Sequence, residues 1–282
     1  MAVINVGDLV VRKSHDKDII FKVIDINRDE NDKDKCVLKG MHMRLVADAP
    51  IHDLEQISAE NLRNEVVNME KIQQSGLERA FDRRKGERRK NSLFRVSFFE
   101  IPGRVLHIDG DEEYLRMCLK TYKQLNMEAV GKCIEEVKQP LHIAKLVEQY
   151  RPDILVLTGH DALIGGGKKD LKDIKNYRHS AYFVESVMVE PNRDDLVIFA
   201  GACQSHFEAI LAAGANFASS PIRIFIHAYD PVFIAEKVAF TPINRTVDVC
   251  DAITASVTGV QGVGGIETRG KFRLGLPKTP YG

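Results

Sequence analysis

Two apolar runs in this chain end in residues capable of covalent chemistry. "DILVLTGHD", residues 153–161, breaks from aliphatic side chains into Gly159, His160 and Asp161. "LVIFAGACQSHFEAI", residues 196–210, breaks into Gly201, Ala202 and Cys203 and continues as an amphipathic segment. A thiol becomes a strong nucleophile when a neighbouring base takes its proton, and imidazole can take that proton near neutral pH and return it to a leaving amine. His160 and Cys203 are 43 residues apart. One strand–helix–strand unit with a loop has about that length, so the two can stand at the ends of strands in one sheet. Cys203 also precedes an expected helix N-terminus, where the macrodipole favours a thiolate. Gly201 and Ala202 leave room for a substrate carbonyl, and nearby backbone N–H groups are candidate oxyanion donors.

Each residue has a plainer reading when taken singly. A cysteine after an apolar strand is a small packed thiol, and a histidine at a strand end is a hydrogen-bonded surface residue. Two such ends joined as one unit favour a site. Among the alternatives, His206 is the second choice of base, because a following helix would turn it elsewhere. Cys118 falls on the apolar face of a helix, and Cys133 and Cys250 have no comparable histidine, so core packing is expected for all three. Gly165-Gly166-Gly167-Lys168 lacks the spacing of a phosphate loop and reads as a loop beside the site.

The elements that position these residues follow from hydrophobic periodicity. "GRVLHID" (103–109), "DILVLTGHD", "DLVIFAGAC" (195–203) and "IRIFIHAYD" (222–230) read as strands, with "MEAVGKCIEE" a further one. "EEYLRMCLKTYKQL" (112–125), "PLHIAKLVEQY" (140–150), "HSAYFVESVMVE" (179–190) and "QSHFEAILAAG" read as helices, the second opened by Pro140 and the last closed by Gly214. Apolar runs alternating with amphipathic helices predict an α/β domain over residues 94–282, with a mainly parallel sheet covered on both faces. Residues 1–62 hold short apolar runs and polar turns, and "VGDLVVRK" looks like the opening strand of a small SH3-like β-barrel. Between them, residues 63–93 read as an amphipathic helix followed by a basic linker containing Arg79, Arg83, Arg84, Lys85, Arg88, Arg89 and Lys90.

Composition sets the outer bounds. Forty basic and forty acidic residues leave no net charge, which argues against a nucleic-acid partner. The longest apolar runs fall far short of a membrane span, and the first residues carry no pattern of a secretory leader. Five scattered cysteines without a CxxC pair predict reduced thiols and neither a disulfide framework nor a metal site. No cofactor is expected.

An apolar strand ending in Gly-His followed by one ending in Ala-Cys resembles the caspase-like cysteine peptidases. From "VGDLVVRKS" through "LVLTGHDAL" to "FAGACQSHFEAI", the chain resembles the sporulation-specific protease YabG family of endospore-forming bacteria. That resemblance implies a cysteine endopeptidase with Cys203 as nucleophile and His160 as general base. It implies a caspase-like sheet, with the backbone N–H groups of Asp161 and Cys203 holding the oxyanion. Asp161 stands where such enzymes usually carry glycine. The implied setting is the mother-cell cytoplasm during sporulation, beside the forming spore coat. The implied substrates are spore coat and cortex-associated proteins, cut beside Arg or Lys. A pocket for such a side chain needs a carboxylate, and Asp109 and Asp111, at the end of the first strand, are the candidates. Asp111 is alternatively the cap of the next helix and Asp109 a turn residue. An enzyme of this specificity would meet its own basic linker, so self-cleavage within residues 79–90 is expected. The competing reading is a non-catalytic, Rossmann-like ligand-binding protein with an SH3-like partner module. A glutamine-amidotransferase-like fold is disfavoured by Ser205, where its elbow needs glycine.

Overall fold

One-sided alternation builds β1 (Leu9–Arg12), β2 (Ile20–Asn27), β3 (Lys35–Gly40), β4 (Val46–Pro50) and β5 (Leu54–Gln56). Phe21, Val23, Cys36 and Leu38 are buried between more exposed neighbours, the period of a sheet with one covered face. The computed structural model describes residues 4–27, 35–90, 98–164, 170–189 and 192–278, with backbone alone for 86–90. Contacts divide the chain into two units, Met1–Ile72 and Gln73–Gly282. In the first, all pairings among the described strands are antiparallel, in the order β4-β3-β2-β1-β5.

Helix α1 (Ala59–Lys90) runs unbroken through the stretch expected to be a basic linker. Arg, Lys, Glu and Ala are good helix formers, and a charge run alone does not end a helix. Distant partners then hold it. Arg84 donates from Nε to Glu236 at 2.8 Å and from Nη1 to the Leu125 carbonyl at 2.8 Å, and its guanidinium lies over the Phe240 ring. Arg83 pairs with the same Glu236 carboxylate, which is fully buried.

The second unit is α/β. After β6 (Phe99–Ile101) come β7 (Val105–Asp109), α2 (Glu112–Gln124), β8 (Ala129–Cys133), α3 (Gln139–Tyr150), β9 (Ile154–Thr158), α4 (Ser180–Val187) and β10 (Val197–Ala200). Then follow α5 (Phe207–Ala213), β11 (Phe217–Ser219), α6 (Asp230–Phe240), β12 (Thr246–Val247), α7 (Val249–Ala255), β13 (Val263–Gly265), β14 (Thr268–Arg269) and β15 (Arg273–Gly275). Among the described residues the main sheet has the order β13-β11-β10-β9-β7-β8. All neighbours in it are parallel except β13, which is antiparallel to β11. Every residue of β7, β9 and β10 is buried, as expected of central strands covered on both faces. Burial of each large aliphatic side chain here contributes about 1.5–3 kcal/mol. Leu106, Leu155 and Ile198 pack with Ile143, Phe183, Val187 and Ile210 of the helices in one core.

One strand reading changes. "IRIFIHAYD" is not a strand: β11 is the preceding "FAS", and residues 220–229 form turns and loop. Ser220 and Arg223 have φ values of 64° and 60°, a left-handed conformation that interrupts extended pairing. The Ser220 hydroxyl donates to the Ile224 carbonyl at 2.6 Å and closes the turn. Residues 165–169, including the glycine run, lie outside the described residues. No described helix is long and apolar enough to cross a membrane.

Candidate active site

Strand register places the proposed residues. In β9 and β10, Leu157 pairs with Ala200, and in β7 and β9, Asp109 pairs with Thr158. His160 lies three residues beyond Leu157 and Cys203 three beyond Ala200, in the loops that follow these adjacent parallel strands. Asp111 follows at the matching end of β7. All three therefore stand at the carboxyl edge, where open α/β sheets bind ligands.

His160 sits between two carboxylates. Its Nδ1 is 3.6 Å from Glu136 Oε1, its Nε2 is 3.6 Å from Asp111 Oδ2, and its backbone N–H donates to Glu136 Oε1 at 2.6 Å. The Tyr114 ring lies 5.8 Å from the imidazole. Nε2 is buried and makes no hydrogen bond among the described residues.

Glu136, in a short 3-10 turn after β8, is a member of the site that the sequence reading did not pick out. Burial pushes its carboxyl up, but hydrogen bonds from the His160 side chain and backbone and from its own backbone outweigh burial and hold it below the usual range. It reaches His160 across Gly110 and Gly159, where a Cβ at either position would collide with Oε1. The only sequence signal for it was an acidic pair at the end of an edge strand.

Cys203 is fully buried, the environment that the packed-thiol reading predicts. Its sulfur accepts the Ile226 N–H at 3.2 Å. The loop around it is conformationally specialised: Gly201 has φ 111° and Gln204, a non-glycine, has φ 58°. The Gln204 N–H donates to Ser220 Oγ at 3.0 Å and to the Ile224 carbonyl at 3.2 Å, tying the cysteine loop to the turn after β11. The histidine and cysteine loops meet directly, where Ser205 Oγ donates to Asp161 Oδ2 at 2.9 Å.

The remaining candidates fall as follows. Asp111 caps α2, with Oδ1 accepting from the Glu113 and Tyr114 N–H groups, while Oδ2 faces His160. Asp109 is fully buried; it accepts the Asp111 N–H at 3.0 Å and the Thr158 hydroxyl at 2.9 Å. His206 is the cap of α5, accepting the Ala209 N–H on Nδ1 and meeting the Lys172 carbonyl through Nε2 at 2.9 Å. Cys118 is buried as expected, but Cys133 and Cys250 are exposed rather than packed. The first ends the edge strand β8 and the second lies in the first turn of α7, both outside the covered faces.

Comparison with known proteins gives the class first: the chain is a peptidase. It belongs to the YabG peptidase U57 family, whose model it matches over residues 5–277. It is 41% identical over 283 residues to the sporulation-specific protease YabG of Bacillus subtilis (strain 168), covering 96% of this chain and 97% of that one. No solved structure matches it significantly.

Proposed function

We propose that this chain is a cysteine endopeptidase acting during sporulation, with Cys203 as nucleophile and His160 as general base. The observation that supports the reading is the register of β9 and β10, in which His160 and Cys203 each follow a paired strand residue by three positions. In the reaction His160 Nε2 takes the thiol proton and the thiolate attacks the substrate carbonyl. The backbone N–H groups of Asp161 and Cys203 receive the oxyanion. The imidazolium then protonates the leaving amine, and a water deprotonated by His160 hydrolyses the thioester. Glu136 holds the imidazole and offsets its charge once it is protonated. Ile226 covers the sulfur, so productive substrate binding displaces that segment.

The strand order, with one antiparallel edge strand after five parallel ones, supports a caspase-like sheet. In the first unit β5 returns to pair with β1, which supports an SH3-like module. Extension from the relative and from the resemblance gives spore coat and cortex-associated proteins as substrates, cut beside Arg or Lys in the mother cell. Asp111 Oδ2 is the carboxylate of this edge best placed to meet a basic side chain. Asp109 supports it from beneath, through the Asp111 N–H.

A peptide carrying arginine at the scissile bond, assayed beside its citrulline counterpart, tests the specificity. The arginine peptide is expected to be cut and the neutral isostere to be cut about a hundredfold more slowly. Equal rates on both would contradict a carboxylate pocket for a basic side chain. The same reading predicts self-cleavage within residues 79–90 of α1. Cutting there requires unwinding, since Arg83 and Arg84 are held by Glu236. Intact-mass measurement after long incubation should show truncation in wild type and none in Cys203→Ala; identical masses would remove self-cleavage from the account.

A further inference from the structure

Asp161 joins the two proposed catalytic loops through its side chain. Its carboxylate is 3% exposed and accepts four hydrogen bonds from three segments of the chain. Oδ1 takes the Ala162 N–H at 2.9 Å and the His179 N–H at 2.8 Å. Oδ2 takes the Ser205 hydroxyl at 2.9 Å and the Ser180 hydroxyl. Ser205 Oγ in turn accepts the Ala202 N–H at 2.9 Å, one residue before Cys203. Ser180, at the start of α4, accepts the His206 N–H at 2.8 Å. Both serines are fully buried.

We propose that the Asp161 carboxylate is a positioning residue for peptide hydrolysis, setting the distance between the loop of His160 and the loop of Cys203 through Ser205. A carboxylate oxygen serving only to cap or turn takes its donors from one local segment, as Oδ1 of Asp111 does at α2. Asp161 instead spends Oδ2 on hydroxyls from α4 and from the cysteine loop. A glycine at this place would leave both buried hydroxyls without their acceptor. Burial pushes the Asp161 carboxyl above its ordinary range even with four donors around it, so the group is held at a cost to stability. Such a cost fits a residue retained for geometry rather than for fold. The inference deepens the cysteine-peptidase reading and rests on it.

Ser205→Ala removes the link between the loops and leaves the other three bonds of Asp161 intact. In the full chain, kcat on an arginine peptide is expected to fall about tenfold with KM within about twofold, because a small displacement of reacting groups acts on kcat. Labelling of Cys203 by an arginine chloromethyl ketone should slow by a similar factor, while the thermal midpoint falls by only a few degrees, because the buried Ala202 N–H loses its acceptor, and the chain stays folded at the assay temperature. Asp161→Asn should show a larger loss of the same kind, and the double variant should be no worse than Asp161→Asn alone. Wild-type kcat and labelling in Ser205→Ala would overturn the inference, as would losses that only follow a falling thermal midpoint. Cys203→Ala in the same series separates the two readings. If it still hydrolyses peptide, the nucleophile assignment fails; if it is inactive beside a fully active Ser205→Ala, only the role of Asp161 fails.

Discussion

Cys203→Ala is expected to lose peptide hydrolysis by a factor on the order of 10⁴ or more while remaining folded. The size follows from removing the atom that forms the covalent intermediate, which leaves only binding and oxyanion contacts to act on the substrate. Stability should change little, because alanine removes one sulfur and the contact from the Ile226 N–H but leaves the backbone of the loop intact. Gly201 and Gln204, which shape that loop, make their turns through backbone and not through the thiol. Steady-state assay beside far-UV circular dichroism checks both halves. Full activity with a native spectrum would return Cys203 to the packed thiol it resembles by burial.

Glu136→Gln is expected to lower kcat on the order of 10²-fold with KM nearly unchanged. The amide keeps an oxygen to accept the His160 N–H but brings no charge to oppose the imidazolium that forms during the reaction. The same variant has a pH signature in stability. Glu136 titrates below its ordinary value in the folded chain, so the unfolded state binds the proton more readily. Its stabilisation is therefore fully present above the unfolded carboxylate value of about 4.3 and is lost as pH falls through the lower native value. Urea unfolding should find Glu136→Gln less stable than wild type near pH 7, with the difference shrinking towards pH 3. A difference that is constant with pH would mean that the charge of Glu136 does not stabilise the fold.

Some of this was legible from residue types alone. His160 and Cys203 stand out because a central parallel strand is apolar along its whole length, so the first reactive side chains after it mark its carboxyl end. Glu136 gave no comparable signal. It follows β8, an edge strand with no fully buried residue, and its role depends on two glycines from other strands. The side-chain role of Asp161 was hidden for a similar reason, since Ser180 and Ser205 reach it from distant positions. The basic stretch was misread as a linker because composition reports solvation, whereas the burial of Arg84 is decided by Glu236 in α6, 152 residues away. "IRIFIHAYD" alternates like a strand, yet the left-handed residues at 220 and 223 override that pattern.

The central claim is that one thiol of five attacks the substrate, and affinity labelling reads this out by identity. Wild type treated with a limiting amount of an arginine chloromethyl ketone should carry a single adduct, mapped by peptide mass spectrometry to Cys203, and His160→Ala should react far more slowly. An adduct chiefly on the exposed Cys133 or Cys250, or spread evenly over the cysteines, would contradict the account.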